Sequence, residues 1–359
     1  MPANNKWYRT LAVSTILVNT LDEMDLRCPD PASPTRSTRR CRLMADVGLL
    51  LDSTTTLPSG LGAEHGITMI PVPIYAGGRE YRDGIDIDEE GFLRLLEGSK
   101  DRPSTAVPGP GEFVSWYRQV LRDHLCVVYP IASRRLSGLF NAAVQAGLSV
   151  PGAAVVAIDP AEGEVDGVVA VHTDAADLKR ELARVAALPP PVVVVQNTDS
   201  VAGGVGLIVM RACEAIASGA ALDKVLAEMI ASKRTLQLHF VLPTLDYVVD
   251  RVGHLRAFFG TVLDIKPVMA LENGLVEDVA RVRGWAKAKR KMLELAAQSV
   301  HGRQVDLSIL HSLAPDEAQQ LLEDARASLN VRRSWLTGIG CTVSRYTGRG
   351  GLGIATSEV

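Results

Sequence analysis

Four uninterrupted apolar runs constrain this chain most: V-G-L-L-L at 47–51, C-V-V-Y-P-I at 126–131, A-A-V-V-A-I at 153–158 and V-V-V-V at 192–195. Runs of this length without alternating polar residues fit strands buried on both faces, the condition of a parallel sheet with helices on either side. The stretches at 113–121, 175–187 and 204–218 carry helical spacing, so the order strand, helix, strand, helix predicts that sheet. The second half reads differently. Residues 236–242 alternate like a half-buried strand, 263–271 read as another, and Glu272, Asn273 and Gly274 form a hairpin turn that returns through 276–282. A helix at 285–298, a strand at 305–310 and a helix at 316–328 follow. The expected fold class is α/β: a parallel-sheet N-terminal domain over 46–235 and a second, α+β domain over 236–359.

At 359 residues and 47% hydrophobic content, the chain is long enough for two buried cores. A net charge of −3 excludes a broad electrostatic attraction to nucleic acid. The five cysteines, Cys28, Cys41, Cys126, Cys213 and Cys341, are scattered with no C-x-x-C pair, which argues against a disulfide framework or structural zinc and for the cytoplasm. Near the N-terminus, Lys6 and Arg9 precede an apolar run at 11–18. It is too short for a membrane span and lacks a small-residue cleavage site. Residues 27–44 are rich in Arg, Pro, Ser and Thr, so 1–45 reads as a flexible extension.

Polar turns follow the apolar runs. Asp52, Ser53 and Thr54 crowd the carboxyl end of the first strand, where open α/β sheets bind ligands, although capping of a helix near 61–65 is an equal explanation. T-A-V-P-G-P at 105–110 and S-R-R-L-S-G at 133–138 flank the helix at 113–121, and their hydroxyls and free N–H groups can converge on one anion. Helix capping alone is the alternative for Thr105 and Ser137. The segment at 70–75 contains two prolines and is expected at a sheet edge. Asp86, Asp88, Glu89 and Glu90 do not match a calcium loop and read as a helix start at Asp88. The glycine-containing turn at 195–204 resembles a phosphate loop only loosely, lacking its spacing and its Lys-Ser/Thr pair.

Seven pieces in order carry a family resemblance. D-S-T-x-x-L-P from Asp52, the Thr105 turn, L-S-G at 136–138 followed by F-N-A-A, Asp199-Ser200, L-D-Y at 245–247, I-K-P at 265–267 and V-R-G at 282–284 together resemble the DegV family of bacterial fatty-acid-binding proteins, over about residues 47–355. The resemblance implies two α/β-type domains, with a long-chain fatty acid in a lipid tunnel at and behind the domain junction. It implies no cofactor and no catalysis by this chain. The partner it implies is an ATP-binding kinase subunit that phosphorylates the fatty acid, in phospholipid metabolism; transient membrane contact is compatible with that role. Thr105, Ser137 and Gly138 then match the head-group turns, Tyr346 takes the position of a head-group histidine, and Ser53, Thr54 and His254 are further candidates.

This chain departs from the family pattern in several places. Tyr346 donates a hydrogen bond but lacks the charge of an imidazole at neutral pH. His254 falls where an arginine is usual, with Arg251 and Arg256 nearby, and T-A-V-P lacks two polar side chains of the family turn. An insertion near 159–190, with an acidic stretch at 162–166, reads as an added strand–helix excursion or a long surface lobe, whose alternatives are covering the tunnel mouth, altering partner docking or a neutral surface decoration. The competing reading is a lipid-sensing or regulatory protein without a role in phosphoryl transfer. A serine hydrolase with Ser137 as nucleophile needs a base that the sequence does not identify; there is no G-x-S-x-G elbow and no H-x-x-x-H pair.

Overall fold

The computed structural model describes residues 46–98, 102–160, 165–248 and 264–359. The expectations for the extension at 1–45, for Cys28 and Cys41, and for His254 with Arg251 and Arg256 lie outside these residues.

The apolar runs form one six-stranded sheet in the order β2-β1-β6-β9-β7-β8. Its strands are β1 (Val47–Asp52), β2 (Thr68–Ile70), β6 (Cys126–Ile131), β7 (Ala154–Ile158), β8 (Val168–Val171) and β9 (Val192–Asn197), and every pairing is parallel. Both faces are covered, as the unbroken hydrophobicity requires. Val193 and Val195 pack with α3 (Pro110–Val120) and α4 (Leu139–Gly147); Val192 and Val194 pack with α5 (Leu178–Ala186), α6 (Gly203–Ala217) and α7 (Leu222–Thr235). Period-2 alternation in β9 thus feeds two cores.

The second sheet has the order β12-β11-β10-β15-β13-β14. It comprises β10 (Gln237–Val241), β11 (Ile265–Glu272), β12 (Leu275–Arg283), β13 (Val305–His311), β14 (Val331–Gly338) and β15 (Leu352–Glu358). All its pairings are antiparallel except β13 with β14. One face buries Val241, Val268, Leu307 and Ile354 under α8 (Trp285–Val300) and α9 (Pro315–Ser328). The opposite face meets α6. A Cβ on Gly203 would lie 2.3 Å from Ser308 Oγ, and one on Gly206 would lie 2.3 Å from the Thr56 carbonyl oxygen. The glycines after β9 therefore serve close approach of a helix, which accounts for the loose likeness to a phosphate loop.

A small sheet, β4-β3-β5, completes the fold, with β3 (Pro73–Ala76), β4 (Arg79–Arg82) and β5 (Ser104–Thr105). The prolines were expected to mark an edge, and β2 is an edge strand of the parallel sheet. β3, however, is the middle strand of the small sheet. Pro73 is tolerated there because it is the strand's first residue. Asp88 Oδ1 accepts a hydrogen bond from Gly91 N at 2.8 Å and opens α2 (Glu89–Gly98), the predicted helix start. The small sheet and α2 pack on α10 (Gly340–Thr347) through Ile74, Phe92, Leu93 and Cys341. Asp83 fixes the start of α10: its carboxylate accepts from Cys341 N at 3.3 Å, Thr342 N at 3.0 Å and Thr342 Oγ1 at 2.6 Å. A carboxylate at a helix N-terminus satisfies free N–H groups and the positive end of the helix dipole.

The described part of 159–190 contains β8 and α5. β8 extends the sheet edge, α5 covers it, and Lys233 ties its root down through ion pairs to Asp159 at 2.5 Å and Asp199 at 2.8 Å.

Candidate functional site

The carboxyl ends of β1, β6 and β9 bring three polar turns to one edge. The chain leaves β1 for β2 on one side, while β6 lies on the other, so their ends flank the crevice where open sheets bind ligands. In the first turn, Asp52 accepts hydrogen bonds from Thr54 N at 2.8 Å, from Thr54 Oγ1 and from Tyr129 OH at 2.7 Å. Full burial raises the Asp52 carboxyl above the usual range, and these bonds pull against it. Ser53 is engaged elsewhere: its N–H donates to the Ile70 carbonyl and its Oγ accepts from Val72 N, each at 3.0 Å. The helix α1 (Leu61–Glu64) starts at Gly60 without a side-chain cap, so Asp52, Ser53 and Thr54 do not cap it.

The second turn is closed by a hydrogen bond from Ser137 N to the Ser133 carbonyl at 3.1 Å. Ser133 Oγ donates to the Gly274 carbonyl at 2.7 Å, which docks the β11–β12 hairpin of the second sheet onto this turn. Gly274 has φ +78°, and a Cβ there would lie 2.5 Å from Ser133 Oγ. Arg134 N donates to Asn197 Oδ1 at 3.1 Å, joining the turns after β6 and β9. Ser137 Oγ accepts from Leu139 N at 3.2 Å, next to Gly138, the N-cap residue of α4, which has no side-chain cap.

These turns border a cavity of about 500 Å³. Thr54, Thr105, Ser137, Gly138 and Tyr346 all line it; Ser53 does not. Thr105 lies in β5, paired with Ile74, and the cap of α3 is Gly109, so capping does not explain Thr105. Tyr346 comes from α10, with the Arg345 guanidinium 5.0 Å from its ring centroid. The far wall is apolar and belongs to the second sheet: Leu238 and Phe240 of β10, Leu271 of β11 and Leu310 of β13. Alternation in 236–242 marks these β10 residues as one face of a strand, but nothing in the sequence says what that face looks onto. No described residue of 159–190 lines the cavity.

The chemistry of the lining is selective. Among the described residues its charged members are Arg134 and Arg135, and none of the described lining residues is Asp, Glu, Lys or His. Among the described lining residues, none is a carboxylate or an imidazole that could act as a base for Ser137. Among the described residues, no group of three or more His, Cys, Asp or Glu is placed to hold a metal, and no helix is long and apolar enough to cross a membrane. An apolar volume with hydroxyls, backbone N–H groups and guanidinium at its border suits an amphiphile with an anionic head.

Known proteins agree with this architecture. A DegV domain-containing protein of Streptomyces coelicolor is 29% identical over 326 residues, covering 87% of this chain and 98% of the relative. A structure described as fatty acid binding of a DegV family protein from Thermus thermophilus superposes with a TM-score of 0.73 at 27% identity, covering 88% of this chain and 100% of that one. DegV of Bacillus subtilis, described as a fatty acid binding protein, has the same fold with a TM-score of 0.68 at 21% identity and covers 88% of this chain. The sequence profile described as "Uncharacterised protein, DegV family" matches residues 46–359, and the chain belongs to the DegV family.

Proposed function

We propose that this protein binds one long-chain fatty acid, its tail in the cavity between the two sheets and its carboxylate at the polar turns, and presents that head group to an ATP-using kinase subunit. The observation that carries the reading is the cavity lining: apolar along the second sheet, hydroxyl-bearing at Thr54, Thr105 and Ser137, and, among the described residues, without carboxylates. The relative from Thermus thermophilus, described by its fatty acid binding, supports the same ligand class. Burying a sixteen-carbon tail at about 0.8 kcal/mol per methylene contributes roughly 11 kcal/mol gross, before ordering costs. The tail supplies affinity, and Thr105, Ser137, the Gly138 N–H and Tyr346 orient the carboxylate. The protein has a carrier's role, and phosphoryl transfer belongs to the partner.

Native mass spectrometry of the purified protein, followed by solvent extraction and lipid identification, tests the binding. The expected result is one fatty acid per chain. A protein that arrives empty and refuses added oleate and palmitate overturns the reading. Presentation is tested by adding a fatty acid kinase subunit and ATP to the loaded protein: formation of acyl phosphate is expected. Its absence, with lipid bound, favours the lipid-sensing role without phosphoryl transfer.

A further inference from the structure

The two arginines of the cavity lining are not equivalent. Arg135 is exposed, and its Nη1 donates to the Asn273 carbonyl of the β11–β12 hairpin at 3.3 Å. Arg134 is half-buried, and its backbone, not its side chain, anchors the turn through Asn197. Its Nε is buried with no hydrogen-bond partner, and its guanidinium makes no ion pair among the described residues. A guanidinium at the cavity border with no carboxylate partner among the described residues is available to pair with an anionic ligand. The Ser133–Ser137 turn has the i to i+4 closure of one helical turn, so Arg134 stands within that turn of Ser137 and Gly138. Across the cavity, the phenol of Tyr346 adds no positive charge at neutral pH.

We infer that Arg134 is the charge partner of the ligand's head group and makes this cavity select an ionised acyl head over a neutral one of the same length. The inference rests on the fatty-acid reading and adds to it the residue that sets charge selectivity. A planar guanidinium pairs with both oxygens of a carboxylate in a way that a hydroxyl cannot, so the turn residues position the head group and Arg134 discriminates its charge.

The test uses the full-length protein, stripped of lipid, and measures Kd for oleate and for oleyl alcohol by calorimetry. The wild type is expected to prefer oleate. In Arg134→Gln, oleate binding should weaken by about tenfold to a hundredfold while oleyl alcohol stays within about twofold, and Arg134→Lys should restore part of the preference. Unchanged alcohol binding also reports that the variant is folded. An oleate-to-alcohol ratio in Arg134→Gln equal to that of the wild type overturns the role of Arg134 and leaves the fatty-acid reading intact. A wild-type ratio near one overturns it without any variant. A wild type that takes neither ligand rejects the fatty-acid reading itself, and the inference with it.

Discussion

The two walls of the cavity are built on different principles. The wall at the edge of the parallel sheet is made of turns, and most of its polar groups are already bonded: Asp52 to Thr54 and Tyr129, Ser133 to Gly274, Asn197 to the N–H of Arg134. The wall from the second sheet is made of strands, and Leu238, Phe240, Leu271 and Leu310 face the cavity without polar atoms. Turns fix individual donors in place because each is held by specific hydrogen bonds. A pleated strand instead offers area on one face while its other face packs a core. One wall therefore decides the orientation of a ligand and the other its affinity, and the two respond to different mutations.

The joint between the walls should be the most sensitive point. Gly274→Val adds side-chain atoms against Ser133 Oγ and Asp199 at a φ of +78°, and is expected to cost about 4 kcal/mol of stability, read from urea denaturation. A cost under about 1 kcal/mol would mean that the hairpin does not lock the walls together. Next in size is a pH effect on the core side of the strand wall. Burial lowers His239 from 6.5 to about 4, and its Nδ1 has no partner. The unfolded chain takes up a proton below about 6.5 that the native state resists until about 4, so stability is lost as pH falls across that window. The loss is about 3 kcal/mol by pH 4. His239→Gln should flatten this part of the profile; identical pH profiles for the two proteins would refute the assignment.

The remaining tests separate the walls by ligand. Phe240→Ala removes apolar contact from the strand wall and should weaken oleate and oleyl alcohol alike, by about 2 kcal/mol or roughly thirtyfold. A loss confined to oleate would place the head group on the wrong wall. Ser137→Ala on the turn wall has the smallest expected effect, about 1 kcal/mol against oleate and little against the alcohol, because its Oγ already accepts from Leu139 N. Equal losses for both ligands would give Ser137 a structural role alone.

Local pattern made much of this fold readable. Cys126–Ile131 is a strand with the bounds read from its apolar run, and Asn273-Gly274 makes the hairpin turn that its residue types demand. Other elements stayed hidden. Helix α7 (Leu222–Thr235) and strands β14 and β15 follow or precede more conspicuous segments, and Leu352–Glu358 is buried by neighbours far away in sequence, with no apolar run of its own. The prolines at 71 and 73 suggested an edge because a missing N–H is cheapest there. The small sheet accepted Pro73 at a strand start, a distinction that depends on register.

The sequence by itself determined the strand class, the parallel sheet and the hydroxyl turns, because hydrophobic period and turn chemistry act over a few residues. Thr54, Thr105 and Ser137 were legible as candidates from residue type at strand-end turns, while Gly138 and Tyr346 came only from the family resemblance. Only the tertiary structure decided that Ser53 faces β2 and the following loop while Thr54 faces the cavity, and that one face of β10 looks onto the polar turns. It alone left Arg134 Nε without a hydrogen-bond partner while engaging its neighbour Arg135. Those outcomes depend on which distant backbone atoms are close enough to accept a hydrogen bond, and that proximity comes from packing the two sheets together.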